Sequence, residues 1–179
     1  MGRRKRVKLD DCPTIREYEQ TIKWLRREAM KRPIIDYVLP LVVAVTGCRI
    51  SECLDLTVED LDDRNGVVYL KTLKSGKGRK RAVDVPTWLF PILERYIAFN
   101  GIGFKLFPIS RTQAWRIIKK VTGRRPHAWR HAYGMYMLFK GRDIEYVRRL
   151  MGHSSWEVTE EYLASVGIDV RKQNPLEEI

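Results

Sequence analysis

The sequence predicts a mostly helical α+β domain with one small antiparallel sheet. Three observations lead there. Apolar residues recur at helical spacing over most of the chain, and capping signals stand at their starts. One pair of β-branched, apolar segments, 67–73 and 79–85, brackets a turn holding two glycines. Everything after Pro86 returns to helical patterning. With 44% hydrophobic residues in 179, a single domain can bury a real core.

Taken in order, Thr14-Ile15-Arg16-Glu17 after Pro13 is a capping box that opens a helix to about Met30. Pro33 then starts a second, very apolar helix, which Pro40 is expected to kink or split. A third runs from near Arg49 to near Leu56. The two β segments form a hairpin around Lys74-Ser75-Gly76-Lys77-Gly78. Its tip is densely basic, with Lys71, Lys74, Lys77, Arg79, Lys80 and Arg81 and no acid among them. Beyond it, Ser110 with Gln113 and Ser154 with Glu157 are further capping boxes. Asp143 is the N-cap of a short helix carrying Ile144, Val147 and Leu150. Tyr133, Tyr136 and Tyr146 fall at helical spacing among apolar residues and read as core. Residues 1–13 form a basic N-terminal arm, and 166–179 a tail in which Val166, Ile168 and Val170 alternate with other residues.

Lys and Arg outnumber Asp and Glu by 34 to 22, for a net charge of +12. This balance points to a polyanionic partner, nucleic acid above all. The cysteines, Cys12, Cys48 and Cys53, are odd in number and lack C-x-x-C spacing. They fit a reducing, intracellular setting and neither a disulfide framework nor a zinc site. No apolar run approaches the ~20 residues of a membrane span. The charged start, Met1 to Arg6, is not a secretory signal. No glycine-rich nucleotide loop and no carboxylate cluster for Mg²⁺ is visible, so neither cofactor nor metal is expected.

Four motifs carry chemistry. His127 and Arg130 share a helix face. There an arginine fork can hold a phosphate while the histidine moves a proton. Alone, the pair reads better as a buried histidine beside a surface arginine. Arg49 follows Thr46-Gly47-Cys48 near a helix start, where anions are favoured, and Glu52 lies one turn on to orient it. Alone, this is a surface helix junction. The basic hairpin can set a lysine against a phosphate, or only grip the backbone of a nucleic acid. Tyr162, after Glu160 and Glu161 on a polar stretch, is a candidate nucleophile or a half-buried packing residue.

Their order together resembles the tyrosine recombinase (phage-integrase-type) family, whose relatives include type IB topoisomerases. The resemblance covers roughly residues 33 to 165. It rests on Thr46-Gly47-Cys48-Arg49-x-x-Glu52, His127-x-x-Arg130-His131, Leu150-Met151-Gly152-His153-Ser154-Ser155 and the nine-residue step to Tyr162. It implies a catalytic domain over 14–165 that cuts and rejoins double-stranded DNA, as in site-specific recombination and integration. Arg49 and Arg130 would clamp the scissile phosphate. His127 would act in proton transfer, and His153 would support the transition state. Tyr162 would form a 3′-phosphotyrosyl link and release a 5′-hydroxyl. Lys74 would protonate that leaving oxygen, with Lys71 and Lys77 as alternatives. DNA contacts are expected from Lys71, Lys77, Arg79 and Lys80 on the hairpin. Further contacts are expected from Arg111, Arg116, Lys119, Arg124 and Arg125. Self-association on DNA as a dimer or tetramer, with the tail packing on its own or a neighbouring protomer, is also implied. So is an intracellular, nucleoid-associated location for a viral or mobile element's enzyme. Family members carry an N-terminal core-binding domain. Here about thirty residues precede the apolar helix, as in an excised catalytic domain or a minimal member of the family. Rival readings are a degenerate module that binds DNA without cutting, and a topoisomerase that relaxes supercoils by the same chemistry.

Overall fold

Thr14 opens the first helix, α1 (Ile15–Lys31), in a computed structural model that describes residues 11–71 and 80–151. The Thr14 hydroxyl accepts from the Glu17 amide at 3.2 Å, and Glu17 accepts from the Thr14 amide at 2.7 Å. This is the expected capping box, of the kind that contributes about 1 kcal/mol. Tyr18, Leu25 and Ala29 form the buried stripe of α1. The Tyr18 hydroxyl donates to the Ala44 carbonyl at 2.6 Å and fastens α1 to the next helix.

That helix, α2 (Ile35–Thr46), is buried at every position from Val38 to Thr46. A helix apolar on all sides can only sit at the centre, and α1, α5 and α6 pack around it. Pro40 does not split it, so of the two expectations, kink or split, the split does not hold. It forgoes one internal bond, the one residue 40 would make to the Asp36 carbonyl, and the burial of every side chain from Val38 to Thr46 outweighs that loss. Gly47 ends α2 with φ +60, and its N–H bonds the Val43 carbonyl at 3.1 Å. The short α3 (Ile50–Leu54) follows directly.

The sheet has strand order β1-β2-β3, all antiparallel. β2 (Val67–Lys71) and β3 (Lys80–Asp84) are the expected hairpin arms; the hairpin tip, 72–79, lies outside the described residues. β1 (Leu61–Asp62) was not anticipated. Val68 opposes Val83, and Leu70 opposes Arg81. Directly opposed residues share a face, so Arg81 belongs to the same face as three core side chains.

Four helices follow among the described residues: α4 (Leu89–Asn100), α5 (Arg111–Thr122), α6 (Pro126–Phe139) and α7 (Ile144–Met151). Not everything after Pro86 is helical, because Lys105 forms a β-bridge with Thr57. Ser110 and Gln113 cap α5 reciprocally, at 3.2 and 2.9 Å. Pro126 stands in the first turn of α6, where its missing N–H costs nothing. Asp143 starts α7 by accepting from the Tyr146 amide at 3.0 Å. The Ser154 capping box lies outside the described residues. Tyr133 is core, as read from its spacing, but Tyr136, read the same way, is only half-buried against the core. Tyr146 is not core: it is 36% exposed, and its hydroxyl donates to Asp84 at 2.8 Å. Among the described residues, no helix is long and apolar enough to cross a membrane.

Candidate active site

The Gly47 turn places Arg49 at the N-cap of α3. Glu52, one turn on, accepts from the Arg49 amide at 2.8 Å and from its guanidinium at 2.9 Å. The carboxylate of Glu52 is fully buried. Such a group is stable only if its oxygens are occupied, since an unpaired buried charge costs several kcal/mol. Arg81 reaches in from β3 and donates to both oxygens, at 3.0 and 2.9 Å. Arg130, from α6, comes within 3.9 Å. Burial works to raise the Glu52 pKa. The bonds and charge of Arg81, the Arg49 amide and the Arg130 charge outweigh it and hold the carboxyl below its usual range. Three arginines around one carboxylate leave a positive surplus.

Arg130 is only 2% exposed. It donates to the Gly47 carbonyl at 2.5 Å and to the Met151 carbonyl at the end of α7. Burial, then repulsion from Arg49, lowers its pKa to about 10, so it keeps its charge at neutral pH. His127, one turn earlier, is exposed. The bland reading of this pair is therefore reversed, with the arginine inside and the histidine at the surface. Partial burial of the ring, then the charges of Arg130, Arg49 and Arg125, lower the His127 pKa. That favours the neutral imidazole, which can accept a proton.

Arg49 and His127 open onto a cleft of about 260 Å³, whose lining does not include Glu52, Arg81 or Arg130. Arg49, Ser51, Arg111, Trp115, Arg125 and His127 line it. The first turn of α6 faces it, adding amide dipoles to the arginine charges. A larger cavity, about 610 Å³, opens between α1 and the α5–α6 turn. It holds neither Arg49 nor His127, and its acids, Asp11 and Glu17, are paired with Arg125 and Arg124. The smaller cleft is therefore where an anion fits.

The description of the phage integrase family matches residues 14–166. The chain belongs to that family. The tyrosine recombinase XerA of Pyrococcus furiosus is 31% identical over 161 residues, which cover 80% of this chain and 55% of that one. The tyrosine recombinase XerD of Corynebacterium glutamicum is 29% identical, covering 86% and 57%. The chain thus spans a little over half the length of the curated relatives it matches. In a crystal structure of XerA recombinase the fold superposes with a TM-score of 0.68 at 21% identity, covering 84% of this chain and 59% of that one. The XerH recombinase, bound to palindromic difH substrate in a post-cleavage complex, also gives 0.68, at 19% identity over 96% and 52%. These likenesses establish a tyrosine recombinase catalytic fold.

Within this integrase domain, the residues read from sequence separate by position. Arg49, His127 and Arg130 come together. Arg111 and Arg125 line the same cleft, although Arg125 also pairs with Asp11. Arg116 is exposed on α5. Other expected DNA contacts are engaged internally. Lys80 pairs with buried Asp60 at 2.6 Å, Arg124 bonds the Asp11 carbonyl at 2.9 Å, and Lys119 caps α5 through the Gly123 carbonyl at 2.7 Å. Lys71 opposes Lys80, on the strand face away from Arg81. Lys74, Lys77, Arg79, His153 and Tyr162 lie outside the described residues. Sequence reasoning missed Arg81, which it counted only among the basic hairpin residues. Its alternation with Val83 was the available signal.

Proposed function

We propose that this domain cuts and rejoins duplex DNA through Tyr162, as the catalytic part of a site-specific recombinase or integrase. The observation that carries the reading is Arg49, anchored on Glu52 in a cleft edged by His127, with buried Arg130 drawn to the same carboxylate. Preorganised cations at a phosphate stabilise the charge that builds on its oxygens during in-line attack, and losing one such donor costs about 2.7–4 kcal/mol. Arg49 and Arg130 hold the phosphate. His127, biased toward its neutral form, takes the proton of the attacking phenol or relays it. His153 donates to the phosphoryl oxygen. Tyr162 attacks phosphorus, and a lysine of the hairpin tip protonates the departing 5′-oxygen. The new phosphotyrosyl bond keeps the energy of the broken phosphodiester, so rejoining needs no nucleotide.

Lys74 or Lys77 suits the leaving-group role better than Lys71. In the β2–β3 register Lys71 lies opposite Lys80, and the face turned toward Glu52 carries Leu70 and Arg81. Double-stranded DNA is the partner, with association of protomers on it as a dimer or tetramer. The relatives point the same way: XerH is bound to difH substrate, the Tn1549 transposon integrase is in complex with transposon right end DNA, and a lambda integrase dimer is bound to a core site. Action at the nucleoid, on behalf of a mobile element, is part of the same proposal.

A duplex nicked close to the cut site traps the covalent intermediate. The wild-type chain should form a denaturation-resistant adduct, and Tyr162→Phe none. An adduct that persists in Tyr162→Phe removes Tyr162 as nucleophile. Arg49→Ala should bind the duplex but form adduct about 100-fold or more slowly. A 5′-thio leaving group needs little protonation, so it should rescue only the variant that lacks the true acid. Rescue of Lys71→Ala but not of Lys74→Ala or Lys77→Ala overturns the choice of the hairpin tip.

A further inference from the structure

Arg81 is oriented like a core residue. It shares a sheet face with Val68, Leu70 and Val83, and its side chain is 13% exposed. Its guanidinium makes three bonds to two elements: both Glu52 oxygens on α3, and through Nε the Leu150 carbonyl at 3.1 Å. Leu150 and Met151 end the described part of α7. Both residues offer a backbone carbonyl to an arginine side chain. Arg81 takes the first and Arg130 the second. The chain runs on from these clamped residues to His153 and Tyr162.

The charge arithmetic gives Arg81 a second task. Glu52 needs a counter-charge. The Arg81 guanidinium bonds both Glu52 oxygens, while Arg49 reaches one oxygen with its guanidinium and the other with its amide. Arg130 stays at 3.9 Å and spends its bonds on two carbonyls. With Arg81 absent, the buried carboxylate would be balanced only by Arg49, which already bonds it, and by Arg130, which it would draw in from 3.9 Å, and less of their charge would be left for a phosphate.

We propose that Arg81 is a positioning residue of the cleavage site: it neutralises Glu52 and ties α7 down at Leu150, so that Arg49 and Arg130 present their charge to the scissile phosphate. The inference deepens the strand-cutting reading and rests on it. Arg81 touches neither DNA nor the reacting atoms.

A charge cycle on the full chain tests this. Arg81→Met should slow adduct formation on the nicked duplex by about 10- to 100-fold, the loss typical of outer partners of a site. DNA affinity should stay nearly unchanged. Arg81→Lys, which keeps the charge without the fork, should fall between. Adding Glu52→Gln to Arg81→Met removes the unbalanced carboxylate and should restore part of the rate. A purely structural anchor would not be rescued by losing its partner. A double variant no faster than Arg81→Met overturns the proposal. So does DNA affinity that falls in step with cleavage, which makes Arg81 a backbone grip. Arg81→Lys and the double variant keep the test open if Arg81→Met does not fold. Inorganic phosphate, titrated by ³¹P line broadening against an Arg49→Ala baseline, gives a readout independent of cutting. Weaker phosphate binding in Arg81→Met, restored in the double variant, supports positioning even where wild type forms no adduct; that missing adduct would instead count against the strand-cutting reading. Unchanged phosphate binding in Arg81→Met overturns the positioning role.

Discussion

Gly47 holds the turn from which Arg49 departs, and its carbonyl receives Arg130. Two constraints fix it as glycine. Its φ is +60, and an added Cβ would come 2.3 Å from Tyr133 Cδ1. Gly101 separates the two, since its φ is +61 with nothing within 4 Å of such a Cβ. Gly101→Ala should therefore lose about 1–2 kcal/mol from the left-handed backbone alone. Gly47→Ala should lose about 1–3 kcal/mol more by overpacking against the ring. Urea unfolding of both measures the difference, and equal losses would mean that Tyr133 yields freely. His131 offers a second residue-scale test. Burial, then the charges of His127 and Arg130, push its pKa from 6.5 to about 4. The folded value lies below the unfolded one, so on acidification the unfolded chain takes the proton first. This contribution is constant above the unfolded value. It costs stability as pH falls from 6.5 toward 4, by at most about 1.4 kcal/mol per unit from this group. His131→Gln should flatten the acid limb of a stability–pH curve. An unaltered limb would show that His131 titrates normally.

Strand β3 shows how an element serves the site without entering it. Lys80 pairs with Asp60, Arg81 bonds Glu52 and α7, and Asp84 accepts from Tyr146 on α7. One strand thus joins the sheet to the helix that carries Arg49 and to the one that leads toward Tyr162. The Asp60 carboxylate is 1% exposed and pairs with Lys80, so Lys80→Met should lower the melting temperature by leaving that buried charge with less compensation. Melting the variant checks it; an unchanged melting temperature would return Lys80 to the pool of free surface cations. Such pairings also mark where sequence stops being legible. Thr14–Glu17 and Ser110–Gln113 are local, three residues apart, so residue type alone reveals them. Arg49–Glu52 is equally local. Arg81–Glu52 spans 29 positions and Arg81–Leu150 spans 69, and only the folded chain brings them together. The two-residue β1 and the Thr57–Lys105 bridge escaped for the same reason, being set by partners and not by pattern. Tyr146 misled because helical spacing among apolar residues does not show that a hydroxyl will reach out to Asp84.

At the scale of the molecule, a net charge of +12 says that a polyanion is the partner but not which cations meet it. The fold sorts them. Lys80, Arg81, Arg124 and Arg130 are turned inward or onto acids and carbonyls. Arg111 lines the cleft and Arg116 is exposed on α5, the helix that borders the cleft through Arg111 and Trp115. Binding a duplex releases about 0.9 counterion per phosphate neutralised, so the slope of log affinity against log salt counts the cations in contact. Arg111→Ala and Arg116→Ala should each reduce that slope by about 0.9 and weaken all sequences alike. Lys80→Ala should leave the slope nearly unchanged, because its charge already belongs to Asp60. Fluorescence anisotropy of a labelled duplex over a salt series measures all three. A drop for Lys80→Ala equal to that for Arg116→Ala would mean that Lys80 leaves Asp60 when DNA arrives. The internal ion pairs would then be a reserve of DNA contacts and not part of the scaffold that aims Arg49 and Arg130.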